Sequence, residues 1–233
     1  MLTELRYMPR MSKGLFLILS CFYLFSCSFT FMPERNDMFE VQPPFSWADE
    51  MYESEELENG TTKTIFKTND TNYLTTEGTT IWTVWEETSR AFTSRTVSAA
   101  KSSGYSSGGY GIIFCHGEYE LDGRKVHAML VVMINNEGQY IIGKAVGGVF
   151  TAYGWWKNTS YLNRIPGSLN EITVFYDDLN NEYCLRINNF EIDRFSDNNT
   201  PPLRSGKNGY ITVVTPYENF PSTGIDVYYI EER

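Results

Sequence analysis

Residues 118–122, Glu118-Tyr119-Glu120-Leu121-Asp122, form the one compact carboxylate cluster in the C-terminal three quarters of the chain. Two carboxyl groups about 5–5.5 Å apart across a glycosidic bond can hydrolyse it with retention. Gly117 and Gly123 bracket the cluster and predict a loop rather than a strand. A solvated acidic loop is therefore the favoured reading. Loose calcium binding by hard carboxylate oxygens ranks between that and catalysis. His116 and His127 flank the cluster. Neither has a Ser or Cys neighbour in the context of an activated nucleophile, so a strand-end role is expected.

Tyr153-Gly154-Trp155-Trp156 offers a different chemistry. Aromatic rings stack on the apolar faces of sugars, while nearby amides and charged groups take the hydroxyls. Tyr153, Trp155, Trp156 and Asn158 are the candidate ligand set, with Asn163 and Arg164 as further polar partners. Adjacent strand residues face opposite ways, so one tryptophan is expected in the core and the other outside it. Trp82 and Trp85, three apart on one strand, are likewise expected on opposite faces.

Of four cysteines, Cys115 and Cys184 lie in apolar, strand-like runs. In an oxidising compartment they can pair; buried free thiols are slightly favoured. Neither has companions at zinc spacing, and no metal is expected. Cys21 and Cys27 belong to a leader. Arg6, Arg10 and Lys13 precede an uncharged apolar run from Gly14 to Cys27, the pattern of an export signal. That run is short of the roughly 20 apolar residues of a membrane-spanning helix. Its end, Leu24-Phe25-Ser26-Cys27, resembles a bacterial lipobox, which implies lipidation at Cys27. The rival, Ile18-Leu19-Ser20-Cys21, leaves an apolar core of about five residues, below the usual signal length. A cleaved secretory signal and an uncleaved anchor are the alternatives. All three place the remainder outside the cytoplasm.

The formal charge is −10 over 233 residues, and the first 27 carry +2, so the remainder is near −12. Nucleic acid is excluded as a partner, since its binding relies on Lys and Arg neutralising phosphate. Electrostatic adhesion to anionic lipid is disfavoured for the same reason. Aromatic residues make up 15% of the chain, a proportion suited to pleated sheets.

Residues 28–60 read as an acidic tether broken by Pro33, Pro43 and Pro44, in which Phe45 and Trp47 can dock as a short strand. A β domain over 61–233 follows. Thr64-Ile65-Phe66 and residues 80–85 alternate polar and apolar. Ser102 to Gly109 is a flexible loop by composition. Two hairpins are plain: Ala128–Ile134 with Gln139–Lys144 around Asn135-Asn136-Glu137-Gly138, and Glu171–Tyr176 with Glu182–Asn188 around residues 177–181. Residues 210–214 and 225–230 close the series. With no sustained helical period, short strands at this spacing predict an all-β sandwich or barrel.

The punctuation from Gly109 onward resembles the concanavalin A-like lectin/glucanase jelly-roll superfamily, above all its laminin-G-like and 3-keto-disaccharide-hydrolase-like domains. The resemblance rests on Gly109-Tyr110-Gly111-Ile112-Ile113-Phe114, Tyr140-Ile141-Ile142-Gly143-Lys144, Trp155 to Ser160 and Pro166 to Val174. Leu185-Arg186-Ile187-Asn188-Asn189, Ser205 to Tyr210 and Ile225 to Ile230 complete it. It implies a two-sheet antiparallel jelly roll. It permits lectin, glycosidase, adhesin or spacer, because a fold does not dictate a function. Family 16 glucanases carry Glu-x-Asp-x-Glu on one strand; this chain has Glu-x-Glu-x-Asp. The expectation is a lipid-anchored envelope protein that binds a glycan or a protein partner. A glycoside-cleaving enzyme and an accessory subunit of a surface complex are the alternatives.

Overall fold

The computed structural model describes residues 51–76, 78–84, 91–199 and 201–232. The leader expected over 1–27, residues 28–50 of the tether and Trp85 lie outside the described residues. In chain order the strands are β1 (Tyr52–Glu56), β2 (Thr61–Thr68), β3 (Thr79–Val84), β4 (Ser94–Ser103), β5 (Tyr110–Leu121), β6 (Arg124–Ile134) and β7 (Gln139–Val146). There follow β8 (Val149–Ala152), β9 (Lys157–Asn158), β10 (Asn170–Asp177), β11 (Glu182–Ile187), β12 (Phe190–Phe195), β13 (Lys207–Val214) and β14 (Ile225–Glu232). A single 3-10 turn, Thr71–Tyr73, is the one helical element among the described residues.

The strands form two antiparallel sheets. The back sheet has the order β1-β2-β14-β4-β10-β11-β12. The front sheet has the order β3-β13-β5-β6-β7-β8, with β9 paired to β7. Turn chemistry sets the two expected hairpins. Between β6 and β7, Gly138 takes φ +84°, and Asn135 Oδ1 accepts from the backbone N–H of Glu137 and of Gln139, each at 3.0 Å. Between β10 and β11, Asn181 takes φ +55° and Asp177 Oδ1 accepts from Leu179 N–H at 3.1 Å.

The sandwich begins earlier than residue 61. β1 pairs with β2 from Tyr52↔Phe66 to Glu56↔Thr62, within the expected tether. Tyr52 anchors it, its hydroxyl donating to Ile81 O of β3 at 3.0 Å. The neighbouring glutamates are exposed, and charge on an edge strand opposes sheet-to-sheet association. The Ser102–Gly109 loop is pinned rather than merely flexible by composition. Buried Lys101 donates from Nζ to Tyr105 O (2.7 Å) and Gly108 O (3.2 Å), and Tyr105 N–H donates to Glu218 Oε2 (2.7 Å).

Two apolar layers result, and both involve the front sheet. The inner layer lies between the sheets, where Ile112, Phe114, Leu130 and Val132 meet Val97, Ile172, Leu185 and Val227. The second lies on the front sheet's outer face, through the alternate residues Ile113, Met129, Val131, Met133, Ile141 and Ile211. β6 is buried on both sides, which is why it reads as a nearly unbroken apolar run. β10 and β14 of the back sheet instead alternate between buried and half-buried positions. Arg95 of β4 ties the sheets together. It donates from Nε to Glu231 Oε2 (3.0 Å) and from Nη1 to Ile113 O and Gly209 O of the front sheet (each 2.7 Å).

Candidate functional site

The carboxylate cluster is not a loop. β5 continues through Glu118, Tyr119 and Glu120 to Leu121, and β6 starts at Arg124. Asp122 and Gly123 form the two-residue turn, with φ of +51° and +72°, the left-handed pair of a type I′ hairpin. An Asp-Gly step after alternating residues was the available signal. Glu118 pairs with His127 and Glu120 with Lys125 across the hairpin. Glu118 is largely exposed and faces Lys125 Nζ (3.9 Å) and His127 Nε2 (4.0 Å). Its carboxyl thus meets cationic or proton-donating groups on an open ribbon, rather than a second carboxyl in a cleft. Among the described residues, no group of three or more His, Cys, Asp and Glu side chains could hold a metal ion.

A bulge between Phe114 and Gly117, with Cys115 at φ +54°, separates Cys115 from His116. Cys115 joins the inner core, 3.8 Å from Tyr183 Oη, and burial pushes its thiol up to about 12. Cys184, the residue after Tyr183 on β11, points away from the side Tyr183 takes, and both cysteines are buried free thiols. His116 sits instead against Trp82 of the outer face, ring centroids 5.2 Å apart. It also stacks on His127 with an interplanar angle of 6°, and its Nε2 lies 3.2 Å from His127 Nδ1. Burial, then the charges of His127 and Lys207, holds His116 down at about 4. Gly206 lets the β13 side approach this bulge, since a Cβ there would lie 2.3 Å from His116 O.

Among the aromatic candidates, Trp155 is 68% exposed. Trp156 is half-buried and packs on the outer apolar layer, where it lies over Gly109 beside Met133. Tyr153 turns its hydroxyl inward and donates to Asp197 Oδ1 at 2.9 Å. Asp197 also accepts from Lys144 Nζ (2.9 Å) and from Leu203 N–H (2.7 Å). Asn158 is exposed on β9, opposite Gln139. Asn163 is absorbed in its own loop: its N–H donates to Asn170 Oδ1 (2.7 Å) and its carbonyl accepts from Asn170 Nδ2 (3.0 Å). Arg164 lies over Gly138, whose missing Cβ leaves room for the guanidinium.

Trp155 and Tyr153 line a recess of about 60 Å³ together with Tyr140, Lys157, Asp193 and Arg194. Asp193 Oδ2 accepts from Tyr140 Oη (3.1 Å) and from Lys157 Nζ (2.5 Å). Burial and the Asp193 carboxylate push the Tyr140 hydroxyl well above its ordinary value, so it stays a donor. Asn158, Asn163 and Arg164 do not line this recess. Asp193 and Arg194 on its polar side come from β12, which composition alone did not reveal. The signal was the Asn188-Asn189 pair, left-handed at φ +50° and +70°, which demands a returning strand. A larger open groove of about 1060 Å³ crosses the outer face of the back sheet, with Lys63, Ile65, Lys67, Asp226 and Tyr228 along it. There the Tyr228 hydroxyl is committed to Gly167 O at 2.7 Å.

No protein-family model matches the chain, and no curated protein matches it. Solved structures do resemble it. A glycoside hydrolase family 16 endo-glucanase from Bacteroides ovatus superposes with a TM-score of 0.50 at 9% identity, covering 78% of this chain and 85% of that one. A Bacillus licheniformis β-glucanase gives 0.48 at 6% identity, over 84% and 86%. The carbohydrate-binding module CBM66 from Bacillus subtilis gives 0.42 at 8% identity, over 70% and 87%. At such identities the likeness is one of fold: the chain has the concanavalin A-like jelly-roll architecture.

Proposed function

We propose that this is an exported protein of the bacterial cell envelope, lipid-anchored at Cys27, whose sandwich binds a glycan without cleaving it. The observation that carries the reading is Trp155. A tryptophan 68% exposed, beside the Lys157–Asp193 pair and Tyr140, combines an apolar shelf with fixed donors and an acceptor. That combination suits a sugar ring, whose axial C–H faces stack on indole while its hydroxyls bond around the rim. The export reading rests on Arg6, Arg10, Lys13 and the apolar run that ends at Cys27.

Binding is favoured over hydrolysis by where the carboxylates stand. Asp193 is engaged by Lys157 and Tyr140, and Glu118 faces Lys125 and His127 on an open hairpin. Glycoside cleavage needs a second carboxyl across the scissile bond. A protein partner is the second reading. It is favoured by the exposed stacked pair Tyr161–Phe190, centroids 4.3 Å apart, with Ile165 and Leu169 also exposed in the same stretch of chain.

The test is a diverse glycan array probed with the purified protein, with the same glycans assayed for cleavage. Binding that Trp155→Ala removes and Tyr228→Ala leaves intact supports the reading. Cleavage products overturn it, and silence on both assays transfers the function to a protein partner.

A further inference from the structure

The Trp155 recess holds about 60 Å³, far below the roughly 300 Å³ at which pockets begin to enclose a whole small molecule. A sugar ring stacked on the exposed indole therefore stays outside, and only one edge of it can enter. What that edge meets follows from the hydrogen bonds left open inside. Lys157 Nζ donates to Asp193 Oδ2 at 2.5 Å and has no second acceptor among the described residues, which leaves two of its N–H donors. Asp193 Oδ2 also accepts from Tyr140 Oη (3.1 Å), and Asp193 Oδ1 accepts from Arg194 N–H (2.9 Å). A carboxylate has about four lone-pair sites, so one remains, on Oδ1. The Arg194 guanidinium is already engaged by Glu191 Oε1 (2.8 Å) and Asp177 Oδ2 (3.0 Å).

We infer that the recess reads a pair of hydroxyls on adjacent carbons, so that its ligands are neutral sugars with an unsubstituted vicinal diol. This rests on the glycan reading of the same recess. Lys157 Nζ and the Asp193 carboxylate are in contact, so the groups that fill their open positions lie within about 3 Å of each other. Hydroxyls on adjacent ring carbons stand that close. One of them donates to Asp193 Oδ1 and accepts from Lys157, and its neighbour accepts the second N–H of Lys157. The charges exclude an acidic sugar. Asp193 already neutralises Lys157, and a ligand carboxylate placed there would meet a like charge beside a cation that is already paired.

Both groups are held in place before a ligand arrives. β9 pairs Lys157 with Tyr140, the Lys157 ammonium lies 5.8 Å from the centre of the Tyr140 ring, and the Tyr140 hydroxyl bonds to Asp193. Side-chain exposures of 50% for Lys157 and 17% for Asp193 put the donor at the mouth and the acceptor deeper. A diol is thus read edge-on, one hydroxyl inside and one at the rim. A linkage or bulky substituent on either oxygen does not fit the recess.

The test uses the purified protein on a glycan array that spans dextran, mannan, a linear 1,3-linked glucan and polygalacturonate. The array is printed twice, once after mild periodate treatment, which cleaves the bond between carbons that carry adjacent free hydroxyls. Binding that requires Trp155 is expected on neutral glycans with a free vicinal diol. It is expected to fall at least about tenfold after periodate, and equally in Lys157→Met, which keeps the aliphatic stem and removes the donors. Where Lys157→Met fails to fold, the periodate comparison on the unaltered protein decides. Trp155-dependent binding that survives periodate, prefers polygalacturonate or is unchanged in folded Lys157→Met overturns the inference and leaves the glycan reading standing. Silence across the whole array overturns both.

Discussion

Trp155 and Trp156 are consecutive, yet one stands 68% exposed beside Asp193 and the other packs over Gly109 and Met133. The short strand β9 that follows them, paired to β7 through Tyr140↔Lys157 and Gln139↔Asn158, fixes this division. One residue completes a core layer, and its neighbour is left to face solvent over a polar recess.

Substitution of the two tryptophans should therefore separate binding from stability. Trp155→Ala is expected to weaken glycan binding at least about tenfold, or about 1.4 kcal/mol, while shifting unfolding free energy by no more than about 0.5 kcal/mol. Trp156→Ala is expected to cost about 2–4 kcal/mol of stability, as large-to-small changes in packed layers do. Isothermal titration and urea denaturation on both variants check the pair.

The Lys144–Asp197 ion pair is almost wholly out of water, at 3% and 2% side-chain exposure. Lys144 Nζ donates also to Asn199 O (2.9 Å) and to Pro201 O, so it holds the loop after β12. Asp197→Ala leaves a buried ammonium uncompensated and is expected to cost about 3–5 kcal/mol. Urea denaturation at neutral pH measures this, and a cost under about 1 kcal/mol would show that water replaces the carboxylate.

His116 makes stability depend on pH. Its folded value of about 4 lies below the ordinary 6.5, so between these values the unfolded chain binds the extra proton. Stability then rises with pH through that window and is lost as pH falls from 6.5 toward 4. The full effect is about 3 kcal/mol at most, with His127 and Lys207 as the charges that face the ring. His116→Gln should flatten the profile over this range, as followed by denaturation at half-unit steps of pH.

The acidic hairpin gives a sharp negative expectation. Glu118→Gln and Glu120→Gln should leave glycan binding unchanged within about twofold and stability within about 0.5 kcal/mol, because exposed pairs contribute little. A loss of binding or of any cleavage in either variant would return the hairpin to the functional site.

Gly206 tests the bulge. With φ at +141° and a prospective Cβ 2.3 Å from His116 O, Gly206→Ala must displace backbone. A destabilisation of about 2–3 kcal/mol is expected by thermal or chemical unfolding, whereas Gly123→Ala, in open space, should cost less.

Periodicity and turn chemistry are local, so the all-β class, both principal hairpins and most strands of the sandwich are legible in the residues alone. The Asn135–Gly138 and Asn181 turns need nothing beyond their own residues to bend, whereas burial of β6 on both faces emerged only with the outer layer of the front sheet. What meets across the fold depends on residues far apart in the chain. β1 was hidden because Tyr52 is its single buried residue, and its seat is made by Ile81 and Thr212 from distant strands. Asp193 was hidden because its partners, Tyr140 and Lys157, lie 53 and 36 residues away. No local pattern encodes which of two adjacent tryptophans faces the water. That follows from the space beside Gly109 and Met133, which exists once β5, β6 and β9 are in place.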